Sequence, residues 1–251
     1  MKTLKTLSFV IFLSLITSNV FAFRNISPYA YCAGDPINNI DPTGESTYAL
    51  TDSGKVVIAE VTNDNFDYLV SSNGNKQRVN DQTILSNLAS GNTAMSSSEE
   101  LVSLYFFVSD NSSAEWGCAG LLDGSFLLGT NCNQSEVSIG CMLDKLGKTM
   151  DETWFQMHTH SFEEGATKGG SVHDRASYDQ RINDAKDEYG NMTKKLYLPL
   201  VYHKASKAVY LYNNSGSIPG RYYGSPRQFS SHSGLQHTYK ELYLKQFQLQ
   251  R

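Results

Sequence analysis

The chain of 251 residues is sparing with cysteine: there are four, at positions 32, 118, 132 and 141, and none has Cys-x-x-Cys spacing. That argues against a cysteine-built zinc site. An excess of basic charge is also missing, since 21 Lys and Arg stand against 25 Asp and Glu for a net charge of −4. The electrostatic footprint of a protein that grips nucleic acid or an anionic membrane is therefore lacking, and a nuclease is disfavoured. The apolar run at residues 7–16 is too short to stay in a bilayer as a permanent helix. Regular βαβ repetition is missing as well, so the elements read as an α+β domain rather than a doubly wound one.

What is present begins at the N-terminus. Lys2 and Lys5 precede the apolar run, polar Thr17, Ser18 and Asn19 follow it, and the segment closes Val20-Phe21-Ala22. This is the layout of a secretory signal peptide over residues 1–22, cleaved after a small residue. It predicts an exported chain, secreted or periplasmic, with no stable membrane anchor. In an oxidising compartment the cysteines can pair. No pairing follows from their spacing, and Cys132 with Cys141 is the first pair to test.

Residues 23–45 are punctuated by turn signals at Gly34-Asp35-Pro36 and Asp41-Pro42-Thr43-Gly44 and read as a linker. Over residues 46–95, β-rich runs at 47–50, 56–61 and 66–70 alternate with polar turns, which predicts a small β-meander. A helix is expected to open at Ser97, which has capping-box spacing with Glu100; its apolar face is Leu101, Leu104, Tyr105 and Val108. Strands at 114–122 and 125–130, a helix at 136–146, a strand at 153–160, a helix at 171–188 and a hairpin of 196–203 with 208–212 follow. The expected core, residues 96–218, is thus a mixed or largely antiparallel sheet flanked by helices. Residues 219–251 form a C-terminal extension with a terminal helix.

Chemistry concentrates at residues 158–174. On a strand, alternate residues share a face, so His158 and His160 project together with Gln156 and Trp154, while Phe155 and Met157 point the other way. Two imidazoles aimed from one rigid strand suit zinc, which takes nitrogen and carboxylate donors and in catalytic sites keeps a place for water. A third ligand is available in Ser171-Val172-His173-Asp174: Ser171 can cap the next helix, and Asp174 then falls in its first turn, where a carboxylate is favoured. The glycine-bearing stretch 161–170 can fold back to bring Asp174 to the histidines. His173 is the alternative third ligand. A metal site at His158, His160 and Asp174 outweighs two unrelated coincidences.

Two resemblances bear on these residues. Residues 29–44, Tyr-Ala-Tyr-Cys-Ala-Gly-Asp-Pro-Ile-Asn-Asn-Ile-Asp-Pro-Thr-Gly, resemble the last segment of the Rhs-repeat-associated core, after which polymorphic toxins carry their variable effector domain. The run His158-Thr-His160 with Ser171-x-x-Asp174 resembles the JAB/JAMM metallopeptidase signature, H-x-H-P followed by S-x-x-D. Ser161 stands where that signature has proline, and the interval to Ser171 is three residues longer than its common form. The resemblance implies a JAB/MPN-like, cytidine-deaminase-like core, with Zn2+ held by His158, His160 and Asp174. It further implies Ser171 as oxyanion donor and a catalytic Glu on a strand after the first helix. Glu115 stands in that place, with Glu60 as runner-up.

The function expected is a secreted zinc metallopeptidase that cleaves a peptide or isopeptide bond of a protein or peptide substrate. Toxin resemblance also implies a cognate immunity protein. No nucleic-acid partner is expected. The alternatives are a metal-dependent nuclease toxin and a non-catalytic Rhs-derived binding module, for which the tyrosines of the late hairpin would supply a surface.

Overall fold

The computed structural model describes residues 46–61, 66–132, 137–160, 171–212 and 221–245. The expected signal peptide, the Rhs-like segment and the glycine-bearing stretch 161–170 lie outside the described residues.

Seven strands form the principal sheet: β5 (Thr93–Ser96), β6 (Trp116–Leu121), β7 (Phe126–Thr130), β8 (Thr153–His160), β9 (Leu198–His203), β10 (Ala208–Leu211) and β11 (Arg221–Gly224). Their order is β11-β10-β9-β8-β6-β7-β5. β8 and β9 run parallel, and the other neighbours are antiparallel. The domain is α+β with a mixed sheet, as expected.

One face of this sheet is dry. Cys118, Leu128, Phe155, Met157, Leu200, Tyr202 and Val209 join Leu101, Leu104, Tyr105 and Val108 of α2 (Glu100–Asp110) in the main core. Burial of each such side chain contributes roughly 1.5–3 kcal/mol. The helix begins later than expected. Glu100 does not close a capping box with Ser97, because its carboxylate instead accepts the backbone N–H groups of Asn80 and Asp81.

A second sheet holds β1 (Ser46–Leu50), β2 (Val56–Val61), β3 (Asp67–Ser71) and β4 (Lys76–Val79), ordered β2-β1-β3-β4. It is the small N-terminal sheet expected, with β3 lying parallel against β1. Buried Asp67 accepts the Ser46 N–H at 2.9 Å and ties the beginnings of those two strands. Between β4 and β5 runs a helix the β-rich reading of residues 46–95 passed over, α1 (Gln82–Gly91). Asp81 caps its first turn, and Ile84, Leu85 and Leu88 bury one face into the main core.

The opposite face of the large sheet is covered at one end by α3 (Ile139–Lys145), through Ile139, Met142 and Leu143 on Ala119, Leu121 and Leu127. At the other end, Tyr178 of α4 (Val172–Asp184) packs with Tyr197, Val201, Tyr210 and Tyr212. The C-terminal extension packs into the domain. It supplies edge strand β11, then α5 (Pro226–Phe229), α6 (His232–His237) and a π-helical turn Thr238–Leu244, and buries Phe229, Leu235 and Tyr243 in the main core.

Trp154 departs from the alternation expected of β8. The register slips between Gly120 and Leu121, and Trp154 packs edge-on against Phe155, Tyr239 and Tyr243 with the dry core. A bulge of this kind rotates the strand locally. Gly120 makes the room: a Cβ there would lie 2.4 Å from Phe155 and 2.6 Å from Trp154.

Among the described residues no helix is long and apolar enough to cross a membrane. Cys132 and Cys141 carry free thiols, as does buried Cys118, whose pKa burial raises.

Candidate metal centre

β8 is the strand between β6 and β9, hydrogen-bonded on both edges and anchored through Phe155 and Met157. Its other face presents Gln156 and His158 to a cavity of about 670 Å³. His158 lies opposite Gly117 of β6 in the antiparallel ladder, and His160 lies beside His203 in the parallel one. A side chain at position 117 would close this place, since a Cβ would come within 2.8 Å of Ile139 and 3.2 Å of Val137. Glycine there lets the approach to α3 descend to the sheet and become a cavity wall beside the histidine.

Asp174 arrives from α4. Ser171 is the N-cap: its Oγ accepts the Asp174 N–H at 3.1 Å, while the Ser171 N–H donates to Asp174 Oδ2 at 2.6 Å. This reciprocal box fixes the carboxylate at the helix start. The same Oδ2 lies 3.2 Å from His158 Nε2 and 3.3 Å from His160 Nε2, and the two Nε2 atoms are 3.1 Å apart. The three donor atoms thus form a nearly equilateral triangle. Donors bound tetrahedrally at zinc distances of about 2.0–2.1 Å stand about 3.3 Å from one another. The donor set fits a metal of that class, and among the described residues it is the cluster with such spacing.

Electrostatics agree with this use. Burial raises the pKa of the Asp174 carboxyl, but hydrogen bonds with His158 and His160, the charge of His158 and the bond with Ser171 outweigh it. The group is held well below the ordinary carboxylate range. It is an anion wherever the protein is folded near neutrality.

The remaining expected residues divide. Glu115 lines the same cavity and sits one residue before β6 rather than on it. Ser171 lines it too. His173 is exposed at the rim and is not one of the clustered donors. Glu60 lies on β2 opposite Thr47, in the other sheet from the histidines.

Met150 carries no signal in the sequence, and Tyr197 and Tyr212, expected there only as packing residues or as the surface of a non-catalytic module, form part of the same wall. The late tyrosines look like packing residues in sequence, and they do pack: Tyr178 meets both Tyr197 and Tyr212 edge-on. Tyr212 also stands 6.2 Å from the His158 ring. Alternation along a hairpin places them on the histidine face, which was the available signal.

The family model described as JAB-like toxin 1 matches residues 92–192. The matched stretch runs from β5 through α4 and contains Glu115, His158, His160, Ser171 and Asp174. It supports a JAB-like toxin domain there, with which the α+β fold is consistent, and it suggests a toxin effector. No curated protein and no solved structure matches the chain.

Proposed function

We propose that this domain is a zinc-dependent hydrolase of the JAB/JAMM kind that cleaves a peptide or isopeptide bond, and that the chain is exported and acts as a toxin effector. The observation that carries the reading is the triangle of His158 Nε2, His160 Nε2 and Asp174 Oδ2 beside a cavity that Glu115 also lines. Zinc, when bound, would lower the pKa of a water toward neutrality and polarise the scissile carbonyl.

The protein's own groups do the rest. Glu115 takes a proton from the attacking water and later returns it to the departing amine, acting first as base and then as acid. Ser171 still has a hydroxyl hydrogen after accepting from Asp174, and donates it to the oxygen that gains charge. Tyr197, Tyr212 and Met150 flank the substrate chain. A cognate immunity protein would protect the producing cell, and the Rhs-like segment before the domain agrees with a polymorphic toxin.

The test is periplasmic expression in bacterial cells, read by growth and by mass-spectrometric counting of new protein termini. Glu115→Gln is expected to lower cleavage by about 10²–10⁴-fold while the purified chain keeps its zinc. His158→Ala is expected to lose both. Full toxicity in Glu115→Gln would overturn the reading, and nucleic-acid degradation that persists in that variant would point to a nuclease.

A further inference from the structure

Lys204 is a buried cation to which the proposed chemistry gives no role. It follows β9 at the start of a short 3-10 turn and is 1 % exposed. Its Nζ donates to the carbonyl oxygens of Ser112 at 3.0 Å and Ala114 at 3.2 Å. Those carbonyls belong to the segment that leads from α2 into β6 and contains Glu115. The next backbone groups are held as well. Thr130 Oγ1 donates to the Glu115 carbonyl at 2.7 Å, and the Trp116 N–H donates to Thr159 Oγ1 at 2.8 Å. Side chains from three parts of the sheet region therefore grip residues 112–116 around one carboxylate.

Two backbone carbonyls do not by themselves call for a charge. Burying an ammonium costs several kcal/mol unless charge or strong hydrogen bonding offsets it. Burial brings Lys204 down to about 8, against the attraction of Asp110 and Glu115, with Lys207 adding to the downward push. Asp110 is already engaged by Lys207 at 2.7 Å and by the Tyr202 hydroxyl at 2.8 Å. Among the described residues, Tyr105 feels the charge of Glu115 from the core, and His158, His173, Asp174, Tyr197 and Tyr212 are titratable groups that line the cavity with it.

We propose that Lys204 is a positioning residue for Glu115, clamping the backbone that presents this carboxylate and setting the field in which it titrates. The functional sense rests on Glu115 being the general base; the clamp does not. Attraction is mutual, so the cation that Glu115 helps to keep protonated also favours the Glu115 anion.

The experiment uses the metal-free chain labelled with 13C at glutamate carboxyls, with the Glu115 resonance assigned by its loss in Glu115→Gln. In Lys204→Met the Glu115 midpoint is expected to move up by about one pH unit relative to wild type. In the wild type, the Glu115 resonance is expected to shift a second time near pH 8 as Lys204 gives up its proton. That second shift should persist in His158→Ala and vanish in Lys204→Met. An unmoved midpoint in a folded Lys204→Met chain would overturn the proposal; if that variant does not fold, absence of the second wild-type shift would do so. Neither readout involves zinc or substrate, so activity retained in Glu115→Gln would sink the hydrolase reading and leave this result standing.

Discussion

The two faces of β8 are built from neighbouring residues and do opposite work. Phe155 and Met157 are fully buried against the main core, with Phe229 stacked edge-on against Phe155. Gln156 and His158 face a cavity, and His158 and His160 meet a carboxylate from another element. The dry face makes the polar face exact in position: a strand locked by packing and by two ladders can hold two imidazoles at one point with little freedom to lose. Interiors pack too tightly for the polar side to drift by itself.

The comparison is broken hardest from the dry side. Phe155→Ala is expected to cost about 3–5 kcal/mol in urea unfolding of the metal-free chain, through lost transfer energy and the cavity left behind. A loss under one would mean that β8 is not anchored as described. Ser171→Ala attacks the other face. It removes the acceptor of the Asp174 N–H and is expected to cost about 1 kcal/mol, as N-cap losses do. Because the same box orients Asp174, metal affinity should fall by about 10–100-fold, a ratio that Phe155→Ala should not reproduce in whatever fraction remains folded.

The smallest effect lies away from both faces. Hydrogen bonds from Lys148 and Ser125 lower Asp123 to about 2. With the folded value depressed, its stabilisation is present above the unfolded pKa near 3.8 and is lost as pH falls through about 2. Asp123 is half exposed and solvent screens the pair, so Asp123→Asn should change stability less than Ser171→Ala does and leave metal binding untouched. Thermal melts at pH 7 and pH 3 check this, with the gap between the two proteins narrower at the lower pH.

What could be read in advance follows the range of the forces involved. β8 was legible to its ends, because alternation along a strand is local, and the start of α4 was legible because Ser171 and Asp174 carry their own capping chemistry. Glu115 came from family resemblance and its place after a helix, and it stands just before the strand expected to hold it. The pairing of β1 with β3, the bulge that turns Trp154 into the core and the wall formed by Tyr197 and Tyr212 depend on contacts distant in sequence. Helix α1 was locally marked by Asp81 and the spacing of Ile84, Leu85 and Leu88, but β-rich runs before it dominated the reading. Lys204 had no local mark at all: a lysine after a strand reads as solvated until Ser112 and Ala114 are seen above it.

The central claim is that His158, His160 and Asp174 form one metal site. Its most direct measurement is the metal content of the purified chain after saturation with zinc and exhaustive dialysis, set beside His158→Ala and Asp174→Ala with their folding verified by circular dichroism. The account predicts about one zinc per wild-type chain and loss of it in both variants. A folded wild-type chain without zinc, or variants that keep it, would contradict the account.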